Sequence, residues 1–443
     1  MNTQRTLNHP LRLALAGEMH ARPFLRIEPP ERVLHLALFA GDALDRHHAW
    51  LGELCECFGV SAPQRGASYF FHDFGPWRLK WENHSEFSTY TFAFRGDGSD
   101  DFADDLLRRL PQAWLGQLAG NVISAAQLAF VSAGGQPLAA SDPWLRTQFS
   151  GPLIAGARVM AGGEVWSDFL VQPDGVSRFL LRDVGLREFQ AGRLSQRVLE
   201  IDTYRMMALL ALPVARECQP VIREAEAALA AISGELAAAD SPEAERSLLE
   251  RLTRLSARIE AMAEADNYRF SASAAYFSII RARLQELREE RIEGVPTLGE
   301  FMERRLVPAM EFCESVRRRQ HELIERLSRT DSLLRTRVTM TQERYNSAIL
   351  ASLNKRAELQ LRLQHAVEGF SIVAISYYLL GVLGYGLKAL GKLGVPVEAE
   401  LATGLALPLV VGAVWFAVRR AQRALHRGHP PEDPAPAPGV SSS

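Results

Sequence analysis

The sequence predicts an α+β cytoplasmic head, a long-helix, coiled-coil-like stalk and a C-terminal two-helix transmembrane hairpin. Three observations carry this prediction. Short β-branched and aromatic runs bounded by Gly, Pro and Asp crowd the first 185 residues. From there apolar residues recur at spacings of three and four, the period of a helix face. Two uncharged apolar runs of eighteen residues then follow, each near the lower limit for crossing a hydrocarbon core of about 30 Å. The boundaries fall at 1–185 for the head, 186–369 for the stalk and 370–418 for the hairpin. Residues 419–443 form a basic and then disordered tail.

Within the head, strands are expected at 33–40, 68–74, 88–95, 122–131, 153–160, 165–171 and 177–182. Gln172-Pro173-Asp174-Gly175 is a turn signal, so 165–182 reads as a hairpin. Helical patterns occupy 42–58 and 101–118, the second with Asp100 and Asp101 at its start. Leu194, Val198, Ile201, Tyr204, Met207 and Leu210 then line one face of a helix that Pro213 and Pro220 kink or break. Ser241-Pro242 opens a second helix carrying Leu248, Leu252, Leu255, Ile259 and Met262, with its stop at Gly294 and Pro296. A third starts near Thr297 and continues from about Pro308 into the first apolar run. At 1.5 Å per residue, some eighty helical residues span roughly 120 Å. Its narrow line through Leu327, Leu334, Val338, Tyr345, Ile349, Leu353, Leu363 and Val367 needs partners, either the preceding helices or copies of itself.

Composition excludes several classes. The 443 residues carry a formal net charge of −2, with 47% hydrophobic and 23% charged residues, which excludes a wholly disordered chain. A mean hydropathy of −0.07 excludes a polytopic membrane protein, and a pI of about 6.6 speaks against a nucleic-acid partner. Cys55, Cys57, Cys218 and Cys313 form no CxxC pair, so thiols in a reducing compartment are expected. Residues 1–12 are polar and broken by Pro10, which is not the pattern of a signal peptide.

Residues 370–387 (FSIVAISYYLLGVLGYGL) and 401–418 (LATGLALPLVVGAVWFAV) are apolar around their whole circumference. Lys355, Arg356 and Arg362 precede the first, and Arg419, Arg420, Arg423 and Arg427 follow the second. The connector holds only Lys388 and Lys392, so positive charge places both termini in the cytoplasm and two spans in the inner membrane. The lipid bilayer is thus an expected partner, with a homo-oligomer and a cytoplasmic protein partner as further expectations.

Three stretches resemble a bacterial family of predicted membrane-anchored proteins with a domain of unknown function. They are Glu18-Met19-His20-Ala21-Arg22-Pro23-Phe24, the run from Ile201-Asp202-Thr203-Tyr204-Arg205 to Leu212-Pro213, and Glu368-Gly369-Phe370 to Tyr377-Tyr378. That resemblance implies a location and no biochemical role. The overall plan is also similar to CorA-type divalent-cation transporters, whose very long helix becomes the first span. That family closes its first span with Gly-Met-Asn at the ion entrance. Here the place is taken by Gly384-Tyr385-Gly386-Leu387-Lys388, and Lys388 would repel a cation.

The candidate functional residues follow from these patterns. Gln364, Ser371, Tyr378 and Tyr385 recur every seven residues, either lining an aqueous path or hydrogen-bonding a neighbouring helix. Lys388, Glu398 and Glu400 are candidate outer-loop charges. His20 and Arg22, held before Pro23, form a polar extended segment that binds a partner or clips the N-terminus to the sheet. His72-Asp73 and His84 with Glu82 and Glu86 could meet across strands, yet no HxxxH or HExxH pair, GxSxG elbow or P-loop lysine is present. No catalytic residue, metal site or cofactor is therefore assigned. Two function classes stay open: a membrane-anchored scaffold or regulatory protein, and a CorA-like channel with the first span along its path.

Overall fold

The computed structural model describes residues 9, 11–12, 15–16, 23–41, 43–96, 102, 105–133, 137–392 and 399–426. The chain divides into two compact units, Met1–Arg335 and Thr336–Ser443. The first is built on one nine-stranded sheet. Its strands are β1 (Glu31–Phe39), β2 (Tyr69–Asp73), β3 (Trp77–Asn83), β4 (Phe87–Arg95), β5 (Val122–Ser132), β6 (Ala155–Val159), β7 (Gly163–Ser167), β8 (Ser177–Asp183) and β9 (Glu290–Arg291). They lie in the order β2-β3-β4-β1-β5-β8-β7-β6-β9. Every pairing is antiparallel except that between β5 and β8.

Period-two alternation sorts the strand residues onto two faces. Leu34, Leu36, Leu38, Leu79, Trp81, Tyr90, Phe92 and Phe94 turn to one side. There they meet α1 (Leu44–Cys57) and α2 (Gln112–Gln117) through Trp50, Leu51, Leu54 and Trp114. Further along the sheet α3 (Pro143–Gln148) adds Leu145 beside Trp166 and Leu180. The opposite face carries Val33, Phe87, Ala126, Leu128, Phe130, Val165, Phe179 and Leu181. Onto it pack α4 (Gln190–Leu209) with Leu194, Val198 and Ile201, and α6 (Pro242–Leu287) with Ile280 and Leu287. In the chain α5 (Ala211–Ala238) connects these two helices. Arg251 pairs with Glu235 at 2.5 Å and joins α6 to α5.

Two helices follow, α7 (Leu298–Arg305) and α8 (Val307–Lys392). Thr297 and Glu300 cap α7 reciprocally, each side chain holding the other's backbone N–H. The start of α8 is tied to α5 by Arg319 and Glu226 at 2.7 Å, and Leu323, Leu327 and Leu334 are buried. In the second unit the remainder of α8 precedes α9 (Ala399–His426). By length and composition, these two helices are each long and apolar enough to cross a membrane. The structure is thus α+β, with a nine-stranded sheet, long helices and a C-terminal helix.

Several elements depart from the sequence expectations. β3 was not expected, although Trp77, Leu79 and Trp81 alternate with Arg78, Lys80 and Glu82. The helix expected over 101–118 is a 3-10 turn at Leu106–Arg109 followed by α2, with Pro111 as the cap between them. Asp105 caps the 3-10 turn by accepting from the Leu107 N–H, and Asp100 and Asp101 lie outside the described residues. The break after α4 comes at Leu210 rather than at a proline. Pro213 sits in the first turn of α5, where the missing N–H has no intrahelical partner to lose. α6 ends at Leu287, six residues before Glu293. Arg288 turns left-handed with φ 51°, and the next residues become the edge strand β9. The 165–182 hairpin is present as β7 and β8.

Candidate functional site

The side of the sheet under α4 is mainly apolar, with the Ser124 hydroxyl donating to Asp202 of α4 at 2.6 Å, and it opens at one polar region. β1 presents His35, β3 presents Lys80 and Glu82, and β4 presents Thr89 and Thr91 toward a cavity of about 260 Å³. Register brings these residues together: His35 faces Thr91 across the β1–β4 ladder, and Lys80 faces Thr91 across β3–β4. α4 closes the cavity with Ser195, Leu199 and Thr203, one per turn, and with the neighbouring Gln196 and Glu200. Gly192 allows that closure, because a Cβ there would lie 2.3 Å from the Leu25 carbonyl oxygen. Leu25 and Ile27 complete the apolar wall.

Polar groups converge on this space. His35 is fixed from both ring nitrogens, Nδ1 lying 2.9 Å from the Thr91 Oγ1 and Nε2 3.0 Å from the Thr203 Oγ1. Burial lowers its pKa to about 4 against an attraction from Asp202, so the ring is neutral at ordinary pH. The Lys80 Nζ sits 3.0 Å from Glu82, with side chains only 4% and 11% exposed. It also donates to the Gln196 Oε1 at 3.3 Å. At the more exposed side of the cavity Arg283, from α6, pairs with Glu200, which also accepts from Gln196 at 2.6 Å. Two hydroxyls, those of Ser195 and Thr89, line the cavity with residue exposures of 0% and 4% and no hydrogen-bond partner.

Other buried charges serve the frame. Arg269 reaches Glu86 through two nitrogens at 3.2 and 2.7 Å, and the Tyr276 hydroxyl donates to the same carboxylate at 2.6 Å. Burial, and then that hydrogen bond, hold the Tyr276 hydroxyl above the usual phenol range. The histidine and carboxylate pairs expected across strands do not form a cluster. His72 lies between Phe70 and Phe74, His84 stacks on Phe87 at the cavity, and Glu86 is taken by Arg269. Among the described residues no group of three or more His, Cys, Asp or Glu side chains is placed to hold a metal ion.

In the second unit, Tyr378, Tyr385, Lys388 and Glu400 line one groove of about 780 Å³ between α8 and α9. The helices approach closely there, with a Cβ on Gly384 lying 3.7 Å from the Thr403 Oγ1. Gln364 is exposed on α8, and the Ser371 hydroxyl donates back to the Val367 carbonyl at 2.9 Å. Glu398, His20 and Arg22 lie outside the described residues.

Sequence reasoning singled out Glu82 and His84 among the cavity residues but not His35, Lys80, Thr89, Thr91 or the α4 residues that face them. The available signal was the polar set on the alternate positions of β1, β3 and β4, set against the second polar row of α4.

These features define an α+β protein with a polar cavity beneath one helix of its sheet-bearing unit, and with two helices that each carry, in the other unit, a stretch long and apolar enough to cross a membrane. The chain belongs to a family described as protein of unknown function (DUF3422), whose model matches residues 7–425. No curated protein and no solved structure matches it.

Proposed function

We propose that this chain is a two-span inner-membrane protein that holds a scaffold or regulatory head at the cytoplasmic face as a homo-oligomer. The observation that carries this reading is the exposure of the two apolar runs. Tyr385 is 79% and Leu409 77% exposed, and among the described residues of 401–418 only Val410 and Val414 are buried. Helices with apolar side chains outward on every side have lipid as their natural surroundings. Basic residues flank both outer ends, and Arg419 stacks over Trp415 at 4.5 Å, a pairing suited to an interface. A cytoplasmic reporter fused after Arg427 is expected to be active, and one inserted between Lys392 and Ala399 silent. The reverse pattern, or release of the protein by alkaline extraction of membranes, would overturn the reading. The scaffold role adds a specific cytoplasmic partner, to be recovered by pull-down with the full chain.

A second reading, a CorA-like channel, draws on one observation: Tyr378, Tyr385, Lys388 and Glu400 share a groove. It requires a closed ring with this face inward. Ion flux in liposomes carrying the purified protein tests it, and a dimer without flux would end it.

A further inference from the structure

We infer that the cavity beneath α4 binds a free α-amino acid, or another small zwitterion that carries one carboxylate and one ammonium group. The inference goes beyond the membrane reading and does not rest on it.

The charge of the lining is the first argument. Lys80 pairs with Glu82 on β3, and Arg283 is shared between Glu200 and Glu286, the latter also held by Arg197; over both groups the formal charges cancel. His35 adds none, because its ring is neutral. An anion or a cation entering this space would meet as much repulsion as attraction. A zwitterion can engage a cation with one end and a carboxylate with the other.

The cost of the arrangement is the second argument. A lysine ammonium and a carboxylate taken out of water lose several kcal/mol of hydration each, by order of magnitude, and a well-packed apolar pair would be no less stable. The same sheet face shows that alternative beside the cavity, in Val33, Leu128 and Phe179. Charges kept here have work to do that apolar side chains could not perform. Two buried hydroxyls without partners, Ser195 and Thr89, offer donors and acceptors for a ligand carboxylate or ammonium.

Size and shape are the third. A space of about 260 Å³ is below the usual range for drug-sized ligands, roughly 300–1,000 Å³, and suits a small metabolite. Leu25, Ile27 and Leu199 provide an apolar wall for a carbon skeleton. A polyol would satisfy the hydroxyls but leave both charge pairs unused.

The experiment is calorimetric titration of the full-length protein in detergent with each standard L-amino acid. Malonate, inorganic phosphate, putrescine and glycerol serve as comparison probes. At least one amino acid should bind saturably in the micromolar to millimolar range. Its N-acetyl and carboxamide derivatives should each bind about tenfold more weakly or worse, since each removes one charge. Ser195→Val should weaken binding by a similar factor. Lys80→Met can destabilise by leaving Glu82 unpaired, so the paired change Lys80→Met with Glu82→Leu is the companion variant. It should fold and fail to bind. The inference is overturned if no amino acid binds, if only the anions, putrescine or glycerol bind, or if the capped derivatives bind as well as the parent.

Discussion

At the scale of single residues, His35 shows how one polar side chain can live inside a sheet. Its two hydroxyl partners satisfy both ring nitrogens, and the surrounding core keeps it uncharged. Unfolding releases it to the ordinary value of 6.5, so between that pH and about 4 the unfolded chain binds the proton and the folded chain does not. The stabilisation is complete above pH 6.5 and falls as pH drops, by up to roughly 3 kcal/mol at the lower end. Lys80 and Asp202 oppose each other in its field, and the neutral ring of His47, also held down to about 4 by burial, adds a parallel slope. We expect His35→Gln to flatten the decline of melting temperature between pH 6.5 and 4. An unchanged slope would mean that another group carries it. The position was readable in part: in Val33-Leu34-His35-Leu36-Ala37-Leu38, alternation puts His35 on the face of Val33 and Ala37. Its partners were not readable, because Thr91 and Thr203 reach it only through the β1–β4 register and the seating of α4.

At the scale of elements, the main strands and helices follow from period and caps, and the failures have local causes. Strand β3 reads as polar because three of its seven residues are charged; Lys80 and Glu82 face the cavity, and Arg78 pairs with Glu31. β9 has only two residues and is made by pairing with β6, with nothing in its own sequence to announce it. Helix α6 is fixed to the sheet at Glu86, in the turn between β3 and β4, by Arg269 and Tyr276. Removing the cation leaves a buried carboxylate without its counter-charge, whereas removing the hydroxyl loses one hydrogen bond. Arg269→Ala should therefore cost about 3 kcal/mol in denaturant unfolding, and Tyr276→Phe about 1–2 kcal/mol. Equal costs would argue against a charge-dominated tie.

At the scale of the whole molecule, the second unit carries a long exposed apolar line. Along α8 beyond the first unit, Ile349, Leu353, Leu363 and Val367 are all more than half exposed. This line matches what a parallel bundle of copies would bury, and the heptad-like spacing was legible directly from the sequence. Ile349→Asp combined with Leu353→Asp is expected to lower the oligomer mass measured by light scattering in detergent. The thermal transition of the first unit should stay in place. If the mass is unaffected, the copies, where present, meet elsewhere. What the sequence could not convey was how far the sheet-bearing unit extends. Its edge strand lies at Glu290–Arg291, and its helices are interleaved with segments that read as stalk.

That edge strand has a consequence for synthesis on the ribosome. The sheet receives its last strand when Arg291 emerges, with roughly eighty residues still to emerge before Phe370. At about 5–20 residues per second, this leaves several seconds. On the membrane reading, the nascent chain can complete its largest folding unit in the cytosol before any apolar run is available for insertion. Targeting would then act on an already folded passenger, tethered by a growing helix.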